Sequence, residues 1–154
     1  MAKMARREQL LKKMAAMPPA VRSAIKQALA QGADQITADM ERLAPKKTGA
    51  LANSILQTWG GGKVEYSSLS GGVDAGGDPE LSVRISAGHS GVRYAHLVEF
   101  GTAPHLNGGR FAGSQHPGTA AKPFFFPAYR ANRRRVKARI SRATTRAVKA
   151  LAQT

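Results

Sequence analysis

The chain contains no cysteine. Disulfides, thiolate metal sites and cysteine nucleophiles are therefore excluded, and assembly in a reducing cytosol is the simple inference. No apolar run reaches about 18 residues, so no transmembrane helix is expected. The N-terminal stretch 1–17 has no uninterrupted apolar core before a small-residue cleavage site, because Lys12 and Lys13 punctuate it. It is therefore not expected to be a secretory leader, and Glu8 with the absence of serine argues against an organelle presequence. Acids are the scarcest class that matters: 9 Asp and Glu stand against 24 Lys and Arg.

That imbalance gives a net charge of +15 on 154 residues. Such an excess repels copies of the chain unless an anionic neighbour is close, which points to nucleic acid or an acidic protein surface. A membrane surface fits less well, since no segment combines a basic face with large aromatic anchors. The hydrophobic share of 42% is ordinary for a globular protein and long enough a chain carries it to form one core.

Along the chain, Met4, Leu11, Met14 and Met17 form a weak helical pattern that Pro18-Pro19 interrupts. Val21, Ile25, Leu29, Ile36, Met40 and Leu43 then recur at helical spacing with Ala28, Gly32 and Ala33 in the same stripe. This predicts one long amphipathic helix over 19–43, entered at Pro19 and ended by Pro45, with Gly32 as a soft spot or a close-packing point. Residues 44–55 read as a turn and one short helical turn, with Thr48 able to accept from a backbone N–H two or three residues on. A strand follows through Leu56 and Trp59, then a turn at Gly60-Gly61-Gly62 and a partner strand beginning at Val64 to Tyr66. The polar, glycine-rich stretch 67–80 reads as a loop. Leu81, Val83, Ile85 and Ala87 alternate with Ser82, Arg84 and Ser86, the period of a strand with one buried face. Periodicity leaves 94–102 open between strand and helix. Residues 103–122 read as a loop of about twenty residues, long enough to be functional or disordered. Tyr129, Val136, Ile140, Ala143, Ala147 and Leu151 mark a second long helix. The economical fold class is α+β, as an N-terminal basic extension over 1–18 and a single domain over 19–154.

Catalytic and metal patterns are missing. Gly62-Lys63 is followed by Val64, and Gln57 stands where a phosphate-binding loop needs its first glycine. Gly88-His89-Ser90-Gly91 places its second glycine one residue too early for a nucleophile elbow. His89, His96, His105 and His116 show no His-x3-His or His-Glu-x2-His spacing. Neither cofactor nor metal is expected, and the chain is read as not an enzyme. Glu99 sits between Val98 and Phe100, which suggests partial burial. It reads either as a catalytic or switch carboxylate or, preferably, as a structural ion pair with one of the arginines. Phe124, Phe125 and Phe126 serve as an exposed plug or as a core staple, and three adjacent rings cannot all point one way.

The strongest physical signal is the last helix. Between residues 130 and 154 lie nine Lys or Arg and no acid. Arg133, Arg134, Arg135, Lys137, Arg139, Arg142, Arg146 and Lys149 form a basic surface opposite the Val136/Ile140/Ala147 stripe. A merely solvated face would mix in acids for i,i+4 pairs, so an anionic neighbour is indicated, either nucleic acid or an acidic partner. No aromatic interleaves with the charges, which favours phosphate contact without sequence reading over base stacking.

Three patches in order carry a family resemblance. They are Ala44-Pro45 followed by Thr48-Gly49-x-Leu51-x-x-Ser54-Ile55, then Tyr94-Ala95-x-x-Val98-Glu99-Phe100-Gly101-Thr102, then Pro123-Phe124-Phe125-x-Pro127-Ala128 before a long helix. Together, over roughly residues 20 to 150, they resemble the minor tail and tail-completion (head–tail joining) proteins of long-tailed double-stranded DNA phages, found also in prophages and gene transfer agents. The resemblance implies a small, mainly antiparallel sheet packed by a long N-terminal helix and the long basic C-terminal helix. It implies a structural virion protein of the neck or tail, forming a ring of its own copies, usually a hexamer. The ring would lie between the portal-side connector or stopper and the tail terminator or tail tube, around double-stranded DNA and away from membranes. Loops 67–80 and 103–122 would meet neighbouring rings. A tail terminator capping the tube is the neighbouring alternative, and a sequence-independent nucleic-acid-binding protein is the alternative of another class.

Overall fold

The computed structural model describes residues 16–60 and 78–153. All but the last two residues of the weak helical pattern at 4–17, the strand expected at 64–66 and most of the loop 67–80 lie outside the described residues. Helix α1 spans Pro19–Leu43, and α2 is a single turn at Ala50–Asn53. Strands β1 (Ile55–Trp59) and β2 (Val83–Ala87) follow, then α3 (Ala95–Phe100). A two-residue pair, β3 (His105–Leu106) and β4 (Gln115–His116), encloses one 3-10 turn at Gly109–Phe111. Helix α4 spans Phe125–Leu151. The class is α+β, with a two-stranded antiparallel sheet and two long helices.

Helix α1 begins and ends where proline chemistry dictates. Pro19 has no N–H for an intrahelical bond to lose in the first turn, and Pro45 forces Ala44 into extended backbone at the C-cap. Its buried stripe is Val21, Ala28, Gly32, Ala33, Ile36, Thr37 and Met40. Helix α4 lies along this stripe in the opposite direction, since Asp39 meets Asn132 whereas Gln35 meets Arg139 and Gly32 meets Val136. Gly32 is the close-packing point: a Cβ built there would sit 2.6 Å from Cγ1 of Val136. Asn132 is buried between the helices and donates to Asp39 Oδ2 at 2.7 Å and to the Ala128 carbonyl at 3.0 Å. Hydrogen bonding from Asn132, and then from Arg42, lowers the Asp39 pKa below the usual carboxylate value.

The sheet rests on the other flank of α1. β1 pairs with β2 in the register Ile55↔Ala87, Gln57↔Ile85 and Trp59↔Val83. Ile55 is buried, and Ile85 and Ala87 pack against the core. Gln57 lies on the same face and donates to Asp34 Oδ1 and Thr37 Oγ1 of α1, which satisfies its amide at the helix–sheet contact. The alternation read over 81–87 therefore orients the strand correctly, but all five residues of β2 are half-buried, so its second face is not fully solvated.

The chain entering β2 is fixed to α1 by charge. The Arg22 guanidinium donates to both Asp78 carboxylate oxygens, with the closest contact at 2.9 Å, and also reaches Glu80. Asp78 is buried and additionally accepts from the Glu80 and Leu81 N–H groups. Hydrogen bonding from Arg22 is the largest influence holding the Asp78 pKa below its ordinary value.

Two expectations follow for stability. Replacing Gly32 with Val should lower unfolding free energy by about 1–3 kcal/mol through overpacking, and adding Val136→Ala should recover at least half of that loss; urea unfolding midpoints measure both. Because Asp78 has a lower pKa folded than unfolded, its pair contributes fully above about pH 4 and the contribution drains away as pH falls through the depressed value. Asp78→Asn should accordingly flatten the acid limb of a stability-against-pH curve while lowering stability at neutral pH.

Candidate functional site

The three motif patches meet in one place. Ala44, Leu51 and Ile55 from the first, Ala95 from the second, and Phe124 and Ala128 from the third pack together with Ile36, Met40 and Val92 as the core cluster. Leu51 is buried, and Ser54 is fully enclosed at 0% exposure. The Ser54 hydroxyl donates to the Leu51 carbonyl at 2.7 Å and accepts from the Gly88 N–H at 3.1 Å, joining α2 to the end of β2. Thr48 accepts from the Ala50 N–H at a long 3.4 Å, while Gly49, at φ 75°, occupies the N-cap.

Glu99 departs from both sequence readings of it. It belongs to α3, the short helix into which 94–102 resolves, and is buried. Among the described residues no arginine pairs with its carboxylate. It accepts from the N–H groups of Phe124 at 2.7 Å, Phe125 at 2.9 Å and Phe126 at 3.0 Å, at the start of α4. A helix leaves its first four N–H groups without intrahelical acceptors. Here Glu99 takes three of them, and the fourth position is Pro127, which has no N–H to satisfy. The positive end of the α4 dipole compensates the buried negative charge, which removes the need for a counter-cation.

The rest of the second and third motifs supports this junction. The Lys122 N–H donates to the Val98 carbonyl, and Thr102 and Thr119 exchange both backbone hydrogen bonds. Gly101 adopts φ 73°, and a Cβ there would lie 2.6 Å from the Thr119 carbonyl oxygen, so only glycine fits. Phe124 is the core staple at 1% exposure, whereas Phe126 is exposed, so the aromatic triplet serves both purposes. Phe126 stacks obliquely with Phe100, centroids 6.0 Å apart, and Phe100 is 69% exposed. Tyr94 and Pro123 are exposed, and Pro127 is half-buried.

The stretch 103–122 is an ordered projection closed at its base by Thr102 and Thr119. His105 and His116 face each other across β3–β4 with stacked rings 5.0 Å apart. Leu106 at the end of β3 and Phe111 in the turn stand out at 73% and 69% exposure. The sequence signal for this surface is the presence of large apolar residues, Leu106 and Phe111, in a polar, glycine-rich segment. The histidines do not gather with acids: among the described residues no three His, Asp or Glu side chains are placed to share a metal ion.

The basic residues of α4 fall into two lanes rather than one surface. At 100° per residue, Arg133, Arg134 and Lys137 lie with Arg130 on one side of the buried stripe. Arg135, Arg142, Arg146 and Lys149 lie on the other and are exposed. Arg139 shares the second lane but is half-buried, and it donates to Gln35 Oε1 of α1 at 3.1 Å. The first lane borders an open groove of about 420 Å³ whose floor includes Tyr129, Val136 and Ile140. Glu99 is the last acid in the sequence, so nothing on the projection or on α4 offsets these charges.

Residues 8–101 match the model of the HK97-gp10-like family, described as "Bacteriophage HK97-gp10, putative tail-component". The chain belongs to this family of phage tail components. The matched stretch holds the first motif and all of the second except Thr102, and it ends at Gly101, before the projection and α4. No curated protein and no solved structure matches the chain. Among the described residues no helix is long and apolar enough to cross a membrane.

If Glu99 is the anchor of α4, Glu99→Ala should cost about 3 kcal/mol, since one buried and two partly buried N–H groups lose a charged acceptor. Glu99→Gln, which keeps one acceptor oxygen, should cost about half as much. Chemical denaturation measures both, and an Ala variant as stable as wild type but inactive in assembly would make the carboxylate functional instead.

Proposed function

We propose that this protein is a non-enzymatic structural component of the phage neck that completes the tail and joins it to the DNA-filled head. In this reading copies of the chain form a closed ring, a hexamer, around the DNA path of the virion. The connector or stopper lies on its head side, and the tail terminator or tail tube on the other.

The observation that carries the reading is the contrast between the two parts of the chain. Most family-motif side chains build the core or anchor α4, while Tyr94, Phe100 and Pro123 stay exposed. The surfaces left outward are apolar or cationic: Phe100 with Phe126, Leu106 and Phe111 on the projection, and the lanes of α4. Exposed apolar side chains of this size suit contacts with neighbouring subunits, and a closed ring lets each copy use two different patches without forming fibres. Uncompensated positive charge suits a place beside DNA or an acidic neighbour.

Disrupting the gene in its source phage and imaging the lysate tests the reading. Full heads beside separate tails of normal length are the expected result. Over-long tails would reassign the protein to tail termination, and intact joined particles would remove it from the neck.

A further inference from the structure

We infer that the second lane of α4, formed by Arg135, Arg142, Arg146 and Lys149, is the surface that meets the phosphate backbone of duplex DNA. The inference deepens the neck reading, which puts the protein on the path of the genome but leaves open which face meets DNA.

The lane is regular. Its residues stand at i, i+7, i+11 and i+14, within about 60° of one another around the helix. From Arg135 to Lys149 the backbone rises about 21 Å, which matches about six base pairs of duplex at the 3.4 Å spacing of phosphates along one strand. All four side chains are exposed, and none is paired with an acid of α4, because α4 has none. Asp39 is the acid of α1 nearest the lane. Its carboxylate is held by Asn132 and Arg42, with Arg135 contributing only at longer range. Arg139, in the middle of the lane, is tied to Gln35 and fixes the lane against α1 instead of reaching outward.

The composition of the lane selects DNA over an acidic protein. The residues beside the arginines are Ala131, Ala138 and Thr145, which are small and let a rigid backbone approach closely. Protein interfaces concentrate aromatic and apolar anchors at their centre, and this lane has none. Those anchors lie elsewhere on the molecule, at Phe100, Phe126, Leu106 and Phe111. The absence of aromatics also removes the stacking platform that single strands require. Point charges in a line, with no groups to read base edges, give contact that holds any sequence.

The test uses the full-length protein and a fluorescein-labelled random duplex of about 25 base pairs, with anisotropy titrations over a salt series. R135Q/R142Q/R146Q/K149Q is compared with R130Q/R133Q/R134Q/K137Q, which removes the same charge from the opposite lane. The first variant is expected to bind at least about 100-fold more weakly near physiological salt and to lose about 3–4 from the slope of log affinity against log salt. The second is expected to lose less than about tenfold. R135K/R142K/R146K, which keeps the charge, should bind within about threefold of wild type, and thermal melting should show all three folded. Equal losses in the two Gln variants would mean that net charge alone attracts DNA and would overturn the proposal. Undiminished binding by the first variant, or weak binding by the Lys variant, would overturn it too, the former reassigning the lane to an acidic protein neighbour. Particle morphology in the gene-disrupted phage decides the neck reading separately, whatever these titrations give.

Discussion

A buried carboxylate with three backbone N–H partners holds this molecule together. Glu99 reaches from the short helix α3 to the first turn of α4 and accepts from Phe124, Phe125 and Phe126. Without it, α4 would start in the protein interior with unsatisfied donors, which is costly. With it, Phe124 is placed in the core against Met40 and Leu51, and the direction of α4 along α1 is set. The Asn132–Asp39 bond and the Gly32–Val136 contact then keep the two long helices together farther along. The same junction positions the projection, because Thr102 and Thr119 close its base on either side of the Glu99 contact.

This arrangement separates structural residues from outward ones. Most positions that carry the family pattern, Leu51, Ser54, Glu99, Gly101 and Phe124 among them, have partners within the fold. The outward apolar and basic surfaces come mainly from the projection and the lanes of α4, with Phe100 the exposed exception among the motif positions. A tail component built this way can keep one core while its outward charge and apolar contacts change to suit its neighbours.

How much was legible in the sequence depended on whether the signal was local. Helix α1 was readable to the residue because an apolar period ran between two prolines. Gly32 could be named as a packing point because it stood within that period. Strand β2 followed from simple alternation, although its pairing with β1 across an intervening segment could not. The six residues of α3 were too few for any period to distinguish helix from strand. Residues 103–122 stand out in the sequence as a long loop, but their pairing does not, because the strands are two residues each and the order comes from the Thr102–Thr119 closure. The burial of Glu99 is legible from its apolar neighbours, but its partners are backbone N–H groups and not the arginine that the sequence suggests. Its acceptors' donors are main-chain groups some 25 residues away, which no side-chain pattern marks. The basic helix was plain from composition, but its division into two lanes became visible only once the buried stripe of α4 was fixed against α1.

Hydrogen exchange at the backbone amides of Phe124, Phe125 and Phe126 tests the central claim most directly. These amides belong to a helix N-terminus, where exchange is ordinarily fast because the groups lack intrahelical acceptors. If Glu99 holds them, they should exchange only with global unfolding, at rates matching the slowest amides of α1. Exchange as fast as at a frayed helix end would contradict the account, because the carboxylate would then anchor neither α4 nor the surfaces it carries.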